Sequence, residues 1–305
     1  MKNINMGGSN LAASAIAMGC MRIGDKTPKE VSELIEAAVR NGINLFDHAD
    51  IYGGGTAESV FASGLSLSSV KREDIILQSK CGIRPGFFDF SKEYIIESAE
   101  NILKRLNTEY LDVLLLHRPD TLMEPEEIDE AFDKLISSGK VRAFGVSNMN
   151  PMQMEYIASK INHKIIVNQL QFSAAHTGMI DAGFNVNMRN DAGIDRDGSV
   201  LEYCRMKDIT IQTWSSLQYG FFEGTFLNCD KYPELNNVLE RMAEEKGVTV
   251  GTLAIAWILR HPAKMQAVVG TTSTKRIEEI AKAADVNMSR PEWYEIYRAA
   301  GNTLP

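Results

Sequence analysis

Eight times along this chain a short run of apolar, β-favouring residues gives way to a longer segment of helical period, and this alternation restricts the available folds more than any other feature. The short runs are Ala15–Gly19, Asn44–Asp47, Ile75–Ser79, Leu111–Leu116, Ala143–Ser147, Ile165–Gln169, Thr210–Thr213 and Ala267–Val269. Leu111–Leu116 is almost continuously apolar, the pattern of a strand covered on both faces, as in a parallel sheet. Among the longer segments, Lys92–Leu106 sets Ile95, Ala99, Ile102 and Leu106 on one face. Glu126–Ser138 repeats the pattern with Ile128, Ala131, Phe132, Leu135 and Ile136, and such spacing marks an amphipathic helix. Further helices are expected near Glu58–Leu65, Met152–Lys160 and Val200–Lys207, and over Tyr232–Glu245, Thr249–Arg260 and Ser273–Ala284. Thr27-Pro28-Lys29-Glu30 opens the first helix as a capping box with proline at the first helical position, and Ser289-Arg290-Pro291-Glu292 has the same cap spacing before a terminal helix. Eight strand–helix units in 305 residues are the count and size of an α/β chain folded as a (β/α)8 TIM barrel.

Two segments fall outside the repeat. Met1–Leu11 reads as an N-terminal β-hairpin turning at Gly7-Gly8-Ser9-Asn10, placed to plug the bottom of the barrel. Ser173–Ser199 reads as a long loop after strand 6, rich in Gly, Asn and Asp and without a period; such loops in compact domains are usually functional or disordered. No linker or shift of composition divides the chain, so residues 1–305 read as a single domain. A net charge of -8, without any basic cluster, argues against a nucleic-acid partner. No apolar run approaches the ~18 residues of a membrane span, and Met1–Asn5 lacks the apolar stretch of a signal peptide. Cys20, Cys81, Cys204 and Cys229 are widely scattered, which suits a reducing compartment. The expectation is a cytoplasmic protein acting on a small molecule, with neither nucleic acid nor membrane as partner.

A parallel barrel gathers the ends of its strands at one mouth, where such folds keep their chemistry. Asp47, Lys80 and His117 stand at the ends of the second, third and fourth runs, and Tyr52 follows Asp47 by five positions. A phenol with an ordinary pKa of about 10 is a sluggish acid at neutral pH. A nearby lysine ammonium would stabilise phenolate and lower that value, and an aspartate would orient the lysine and keep it charged. A histidine at the same mouth could hydrogen-bond a carbonyl oxygen. Together the four suit proton delivery to an oxygen during carbonyl reduction by an external hydride donor. Taken singly, each has an ordinary structural role; it is the conjunction that points to a site.

No Gly-x-Gly-x-x-Gly follows any strand, which argues against a Rossmann cofactor site. Barrels commonly hold phosphate in the loops after their last strands, against a helix N-terminus. Val269-Gly270-Thr271-Thr272-Ser273-Thr274-Lys275-Arg276 offers backbone donors, hydroxyls and two cations at that place. An anion cradle and an ordinary helix cap fit this segment about equally.

The motifs Asp47-x-Ala49-x-x-Tyr52-Gly53, Ser79-Lys80, Leu115-Leu116-His117 and Gly145-Val146-Ser147-Asn148 resemble, in order and spacing, the signatures of the aldo-keto reductases. The likeness runs through essentially the whole chain. It implies Tyr52 as general acid, Lys80 and Asp47 as its tuners, and His117 as the group orienting the carbonyl. It implies NADP(H) as cofactor, with Ser147, Asn148 and Gln169 on the nicotinamide carboxamide and Trp214 stacked on the ring. Ser215 and Leu217 would line the pyrophosphate, and Met21 and Asp47 would also touch the cofactor. The resemblance places the adenosine 2′-phosphate against Gly270, Thr271, Thr272, Ser273 and Lys275, with Arg276 and Glu279 flanking the adenine. The chain departs from the family where Gly270 stands in place of a common lysine, so NAD use is less excluded. It departs again at His48, which replaces a commoner serine or threonine and could bond a neighbouring loop or perturb Lys80. Met21, Phe87, Phe88, Phe221 and Phe222 fall in loops expected around the mouth and suggest an apolar or aromatic carbonyl substrate. Two other readings stay open: a cofactor-binding regulatory subunit with little turnover, and a Schiff-base aldolase using Lys80 as nucleophile.

Overall fold

The computed structural model describes residues 1–305. Eight parallel strands close a barrel in sequential order: β1 (Ile16–Gly19), β2 (Leu45–Asp47), β3 (Ile76–Cys81), β4 (Leu111–Leu116), β5 (Val141–Ser147), β6 (Ile165–Gln171), β7 (Thr210–Trp214) and β8 (Gln266–Val269). Closure runs through β8 pairing with β1, Ala267 opposite Ile16. The helices between them are α1 (Pro28–Arg40), α2 (Ala57–Leu67), α3 (Lys92–Leu106), α4 (Pro125–Ser137), α5 (Pro151–Ala158), α6 (Gly178–Phe184), α7 (Val200–Met206), α8 (Pro233–Lys246), α9 (Val250–Leu259) and α10 (Thr274–Ala281), followed by α11 (Arg290–Ala299). No helix is long and apolar enough to cross a membrane.

Local chemistry explains the element boundaries. α1 starts at a complete Thr27/Glu30 capping box with Pro28 inside its first turn, and α11 starts at the equivalent Ser289/Glu292 box; caps of this kind contribute about 1 kcal/mol each. A third box, Asn150/Gln153, opens α5 and was not foreseen. Strand bounds shift by one or two residues from the expected ones, with one shift that matters for the site. β3 runs on through Lys80 to Cys81, so Lys80 lies inside the strand rather than just beyond it. Its ammonium is fully buried against Asp47, which lets a charged residue occupy a strand interior.

The barrel interior changes character from bottom to mouth. At the bottom Met6, Ala17, Leu45, Ile76, Val113, Ile166 and Val268 form a buried apolar cluster. Above it on β2, β3, β6 and β7 the inward residues are amides and ions, Asp47, Gln78, Lys80, Gln169 and Gln212, all buried, while Gln266 opens β8 below Val268 and donates to the Ser14 carbonyl of the hairpin. The larger apolar core lies between the strands and the helix ring, where Leu114, Phe144, Ile211 and Ala267 meet α-helical residues such as Ile35, Ile102, Phe132 and Trp257.

The hairpin and the long loop both differ from expectation. The hairpin pairs Asn3–Asn5 with Ala12–Ser14 around a 3-10 turn at Met6–Gly8, so it extends beyond Leu11. It does seal the bottom: the Gly7 amide donates to Thr210 Oγ1 at 2.9 Å. Gly7 has φ +52°, and a Cβ there would stand 2.5 Å from the Ile166 carbonyl oxygen, so glycine is required. Ser173–Ser199 is not structureless, for it contains α6 and a 3-10 turn at Asp191–Gly193. α6 is too short to show a period. It is pinned outward onto α11 by a bond from Tyr297 Oη to Asp181 Oδ1 at 2.8 Å and by Phe184 packing on Tyr297. The loop therefore braces the outer wall, and none of its residues lines the mouth cavity described next.

Candidate active site

A cavity of about 920 Å³ opens at the carboxyl ends of the strands, near the upper end of the ~300–1,000 Å³ common for small-molecule sites. On its floor Asp47 and Tyr52 meet Lys80, which lies beneath them. Parallel pairing sets Asp47 opposite both Gly19 and Gln78, and Lys80 opposite Leu115, so the strand ends converge by register. Lys80 Nζ donates to Asp47 Oδ2 at 2.8 Å, to the His48 carbonyl at 2.8 Å and to Tyr52 Oη at 3.0 Å. Its three protons are thus all taken, and no part of its side chain is exposed. His117 follows β4, and its ring meets that of Tyr52 edge-on at 6.0 Å between centroids.

Protonation follows from burial and these contacts. Burial pulls the Lys80 ammonium down, but Asp47 and Tyr52 outweigh it and hold Lys80 above its ordinary value. Burial holds the Tyr52 phenol above its ordinary value, with Lys80 pulling the other way without prevailing. Lys80 acts in the expected direction, but desolvation of phenolate is the larger effect, so the net shift is upward rather than downward. The phenol is protonated at neutral pH, as a proton donor must be. Burial, reinforced by Lys80 and Arg118, keeps His117 far below the usual imidazole range and therefore neutral, with Nδ1 buried and unpartnered in the protein.

His48 takes neither course suggested for it. Its ring bonds no loop, for both nitrogens are buried without protein partners, and it stands edge-on to Phe61 at 4.5 Å. Only its carbonyl touches Lys80. Burial, with Lys80 adding repulsion, pushes the imidazole down to about 3.

Asp47 is also held from the barrel interior. Its Oδ1 accepts from Gln78 Nε2 at 2.6 Å and from Gln169 Nε2 at 3.0 Å. Gln78 and Gln212 exchange reciprocal amide bonds of 2.8 and 3.0 Å, Gln169 donates to Gln212 at 3.0 Å, and Gln212 donates to Gln266 at 2.7 Å. This ladder joins β2, β3, β6, β7 and β8 beneath the carboxylate. Sequence reading missed it, although glutamines at strand centres were the available signal.

Beside Asp47 a polar chain borders the cavity: Asn148 Nδ2 donates to Ser147 Oγ at 2.7 Å, and Trp214 Nε1 donates to Asn148 Oδ1 at 3.1 Å. Asn148 and Ser215 both hold left-handed backbone, with φ +57° and +51°, a conformation that clusters where a site dictates geometry. Met21, Ser147, Asn148, Gln169, Trp214, Ser215 and Leu217 all line the cavity.

At the far end, α10 starts at Ser273, whose Oγ accepts from the Arg276 amide. Gly270, Thr271, Arg276 and Glu279 line the cavity there; Thr272, Ser273 and Lys275 do not. Ser273 is occupied as the cap, and Lys275 points outward beside Glu279 at 3.9 Å. A Cβ on Gly270 would meet nothing within 4 Å, so the missing lysine is not imposed by crowding. A helix N-terminus with an unpaired guanidinium suits a phosphate. The donor set thus fits a phosphorylated dinucleotide.

Two placements differ from expectation. Phe221 and Phe222 line the mouth, but Phe87 and Phe88 do not. The Pro85-Gly86 turn folds Phe87–Phe88 back on Ile83–Arg84 as an exposed hairpin, leaving only Ile83 at the cavity. Conversely Arg22, Arg118 and Asn228 line the cavity without having been foreseen. Arg118 follows His117 directly, so its strand-end position was a signal. Asn228 is placed by buried Asn236, which accepts its amide at 2.9 Å, and nothing in the sequence marks that contact.

Residues 15–300 match the family model described as the aldo/keto reductase family. A 6-dehydroglucose reductase of Agrobacterium fabrum is 36% identical, with 95% of each chain covered. An uncharacterized oxidoreductase, YcsN of Bacillus subtilis, is 35% identical over 97% of each chain. The crystal structure of an aldo-keto reductase from Klebsiella pneumoniae in complex with NADPH superposes with TM-score 0.76 at 25% identity, covering 100% of this chain and 96% of that one.

Proposed function

The chain belongs to the aldo/keto reductase family, and from that premise we propose that it is a single-domain, NADPH-dependent enzyme reducing aldehyde or ketone carbonyls to alcohols, with Tyr52 as general acid. The observation that carries this reading is Lys80 Nζ held between Asp47 Oδ2 at 2.8 Å and Tyr52 Oη at 3.0 Å on the cavity floor. Bound NADPH would supply the hydride. Tyr52 hands its proton to the carbonyl oxygen, and the adjacent ammonium stabilises the phenolate left behind. Asp47 keeps that ammonium in place. Neutral His117 orients the carbonyl by a hydrogen bond to its oxygen.

In this reading Met21, Asp47, Ser147, Asn148, Gln169, Trp214, Ser215 and Leu217 hold the nicotinamide half of the cofactor. Gly270, Thr271, Arg276, Glu279 and the α10 N-terminus hold the adenosine end, while Thr272, Ser273 and Lys275 support that loop from outside the cavity. The NADPH complex of the Klebsiella relative and the reductase from Agrobacterium support the cofactor and the reaction class. Four free cysteines support a reducing, cytoplasmic setting. The aldolase alternative lacks an accessible amine, since Lys80 is enclosed and fully bonded.

A panel of aldehydes and ketones, followed by NADPH and NADH oxidation in parallel, tests the proposal. NADPH should be favoured by roughly tenfold or more in kcat/KM, the worth of one charge-assisted contact. NADPH binding without oxidation by any carbonyl would favour the regulatory-subunit alternative.

A further inference from the structure

Two arginines that line the cavity, Arg22 and Arg118, have no ion pair; Arg22 is exposed, whereas Arg118 is partly buried beside the aromatic wall. Arg118 is only partly exposed, directly follows His117 and lines the cavity with Tyr52, Trp214, Phe221 and Phe222. Its guanidinium stands 5.7 Å from the ring centroids of both Trp214 and Phe221, near the ~6 Å limit at which an aromatic face still attracts a cation. Burial lowers its affinity for its proton, Tyr52 opposes that, and no carboxylate is among the charges acting on it. The carboxylates lining the cavity are Asp47, bound to Lys80, and Glu279, beside Lys275 at the adenosine end. A partly buried guanidinium without a protein acceptor leaves its donors to water, and an anion that takes them gains charge-assisted bonds in a partly desolvated place.

We infer that Arg118 receives an anionic group of the substrate, so that the carbonyl compound reduced beside Tyr52 carries a carboxylate. A guanidinium offers only donors, in a planar fork that a carboxylate matches bidentately, and the negative charge also supplies the missing counter-ion. Hydroxyls would bring hydrogen bonds but no charge. Trp214 and Phe221 stand beside the Arg118 guanidinium, and Phe222 packs on both and lines the same cavity, which suits an apolar or aromatic skeleton between the two polar ends. Adenosine phosphate has its own cation in Arg276, which leaves Arg118 for the substrate.

The inference rests on the reductase reading, and the test separates the two. Turnover of 4-carboxybenzaldehyde, 4-methylbenzaldehyde and glyceraldehyde with NADPH is compared in wild type, Arg118→Met and Arg118→Lys. In parallel, calorimetry measures benzoate binding to each protein in complex with NADP+. Wild type should favour the carboxylated aldehyde roughly 10- to 100-fold in kcat/KM, chiefly through KM. Arg118→Met should abolish the preference and weaken benzoate by a similar factor, while Arg118→Lys retains part of both. A wild type without the preference, a preference surviving in Arg118→Met, or glyceraldehyde favoured over the carboxylated aldehyde would each overturn the inference. Arg118-dependent benzoate binding without turnover of either aldehyde would uphold the anion site and sink the reductase reading. Turnover of both with benzoate indifferent to Arg118 would do the reverse.

Discussion

Buried charge at this mouth is arranged by small balances between neighbouring groups. Tyr52 and Lys80 share a hydrogen bond, yet desolvation moves the phenol up despite the ammonium beside it. His48, one residue from Asp47, shows the same desolvation without any partner. Unfolded, its imidazole takes a proton near 6.5; folded, only near 3. The unfolded chain therefore binds more protons between those values, so stability is full above about 6.5 and falls as pH drops toward 3. His117 acts with the same sign. Replacing His48 by leucine removes its share: about 2 kcal/mol of the loss between pH 6.5 and 5 should vanish, at ~1.4 kcal/mol per unit. Urea unfolding at those two pH values measures it, and an unchanged pH dependence would show that His48 is not a buried neutral base.

Strands and helix ends then decide which groups meet. The strand ends were readable because parallel register carries them to one rim, and Asp47, Tyr52 and Lys80 come together as the spacing suggested, with His117 edge-on to the Tyr52 ring. Of the Gln78–Gln212–Gln266 ladder only the glutamines within the strands were readable; which of them meet was not, because the ladder couples strands far apart in sequence. Its share is large. Gln212→Leu leaves the side-chain oxygens of Gln78 and Gln266 without their donor, while Gln78 and Gln169 keep their bonds to Asp47, and should destabilise the fold by about 3 kcal/mol, at roughly 1–3 kcal/mol for each buried group left unpaired. A loss under about 1 kcal/mol in denaturant titration would mean the ladder rearranges freely. At the N-terminus of α10, Arg276 alone offers an unpaired cation to the cavity. Arg276→Ala should weaken NADPH roughly 10- to 100-fold and NADH far less; equal losses by fluorescence titration would place the 2′-phosphate elsewhere.

Across the whole molecule, an apolar seal and the chemistry occupy opposite ends of one barrel. An apolar plug and the N-terminal hairpin close the bottom, and the polar half opens to the mouth. Repeated strand–helix alternation made the barrel legible, as did the position of the hairpin. The packing of Ser173–Ser199 was not, since a seven-residue helix pinned by Tyr297 leaves no periodic trace. Gly7 sits where the hairpin meets β6, at φ +52° and 2.5 Å from a carbonyl oxygen once a Cβ is added. Gly7→Ala should cost at least about 2 kcal/mol, from left-handed strain plus crowding, without altering NADPH affinity. A parallel loss of affinity would contradict this separation of ends.

The central claim is that Tyr52 delivers the proton, and Tyr52→Phe tests it by removing one oxygen. Steady-state NADPH oxidation with a carbonyl substrate, measured together with the Kd for NADPH, gives the comparison. Turnover should fall by a factor of about 10² or more, with Kd within a factor of about 3 of wild type, because only the acid is lost. Undiminished turnover in Tyr52→Phe would contradict the account.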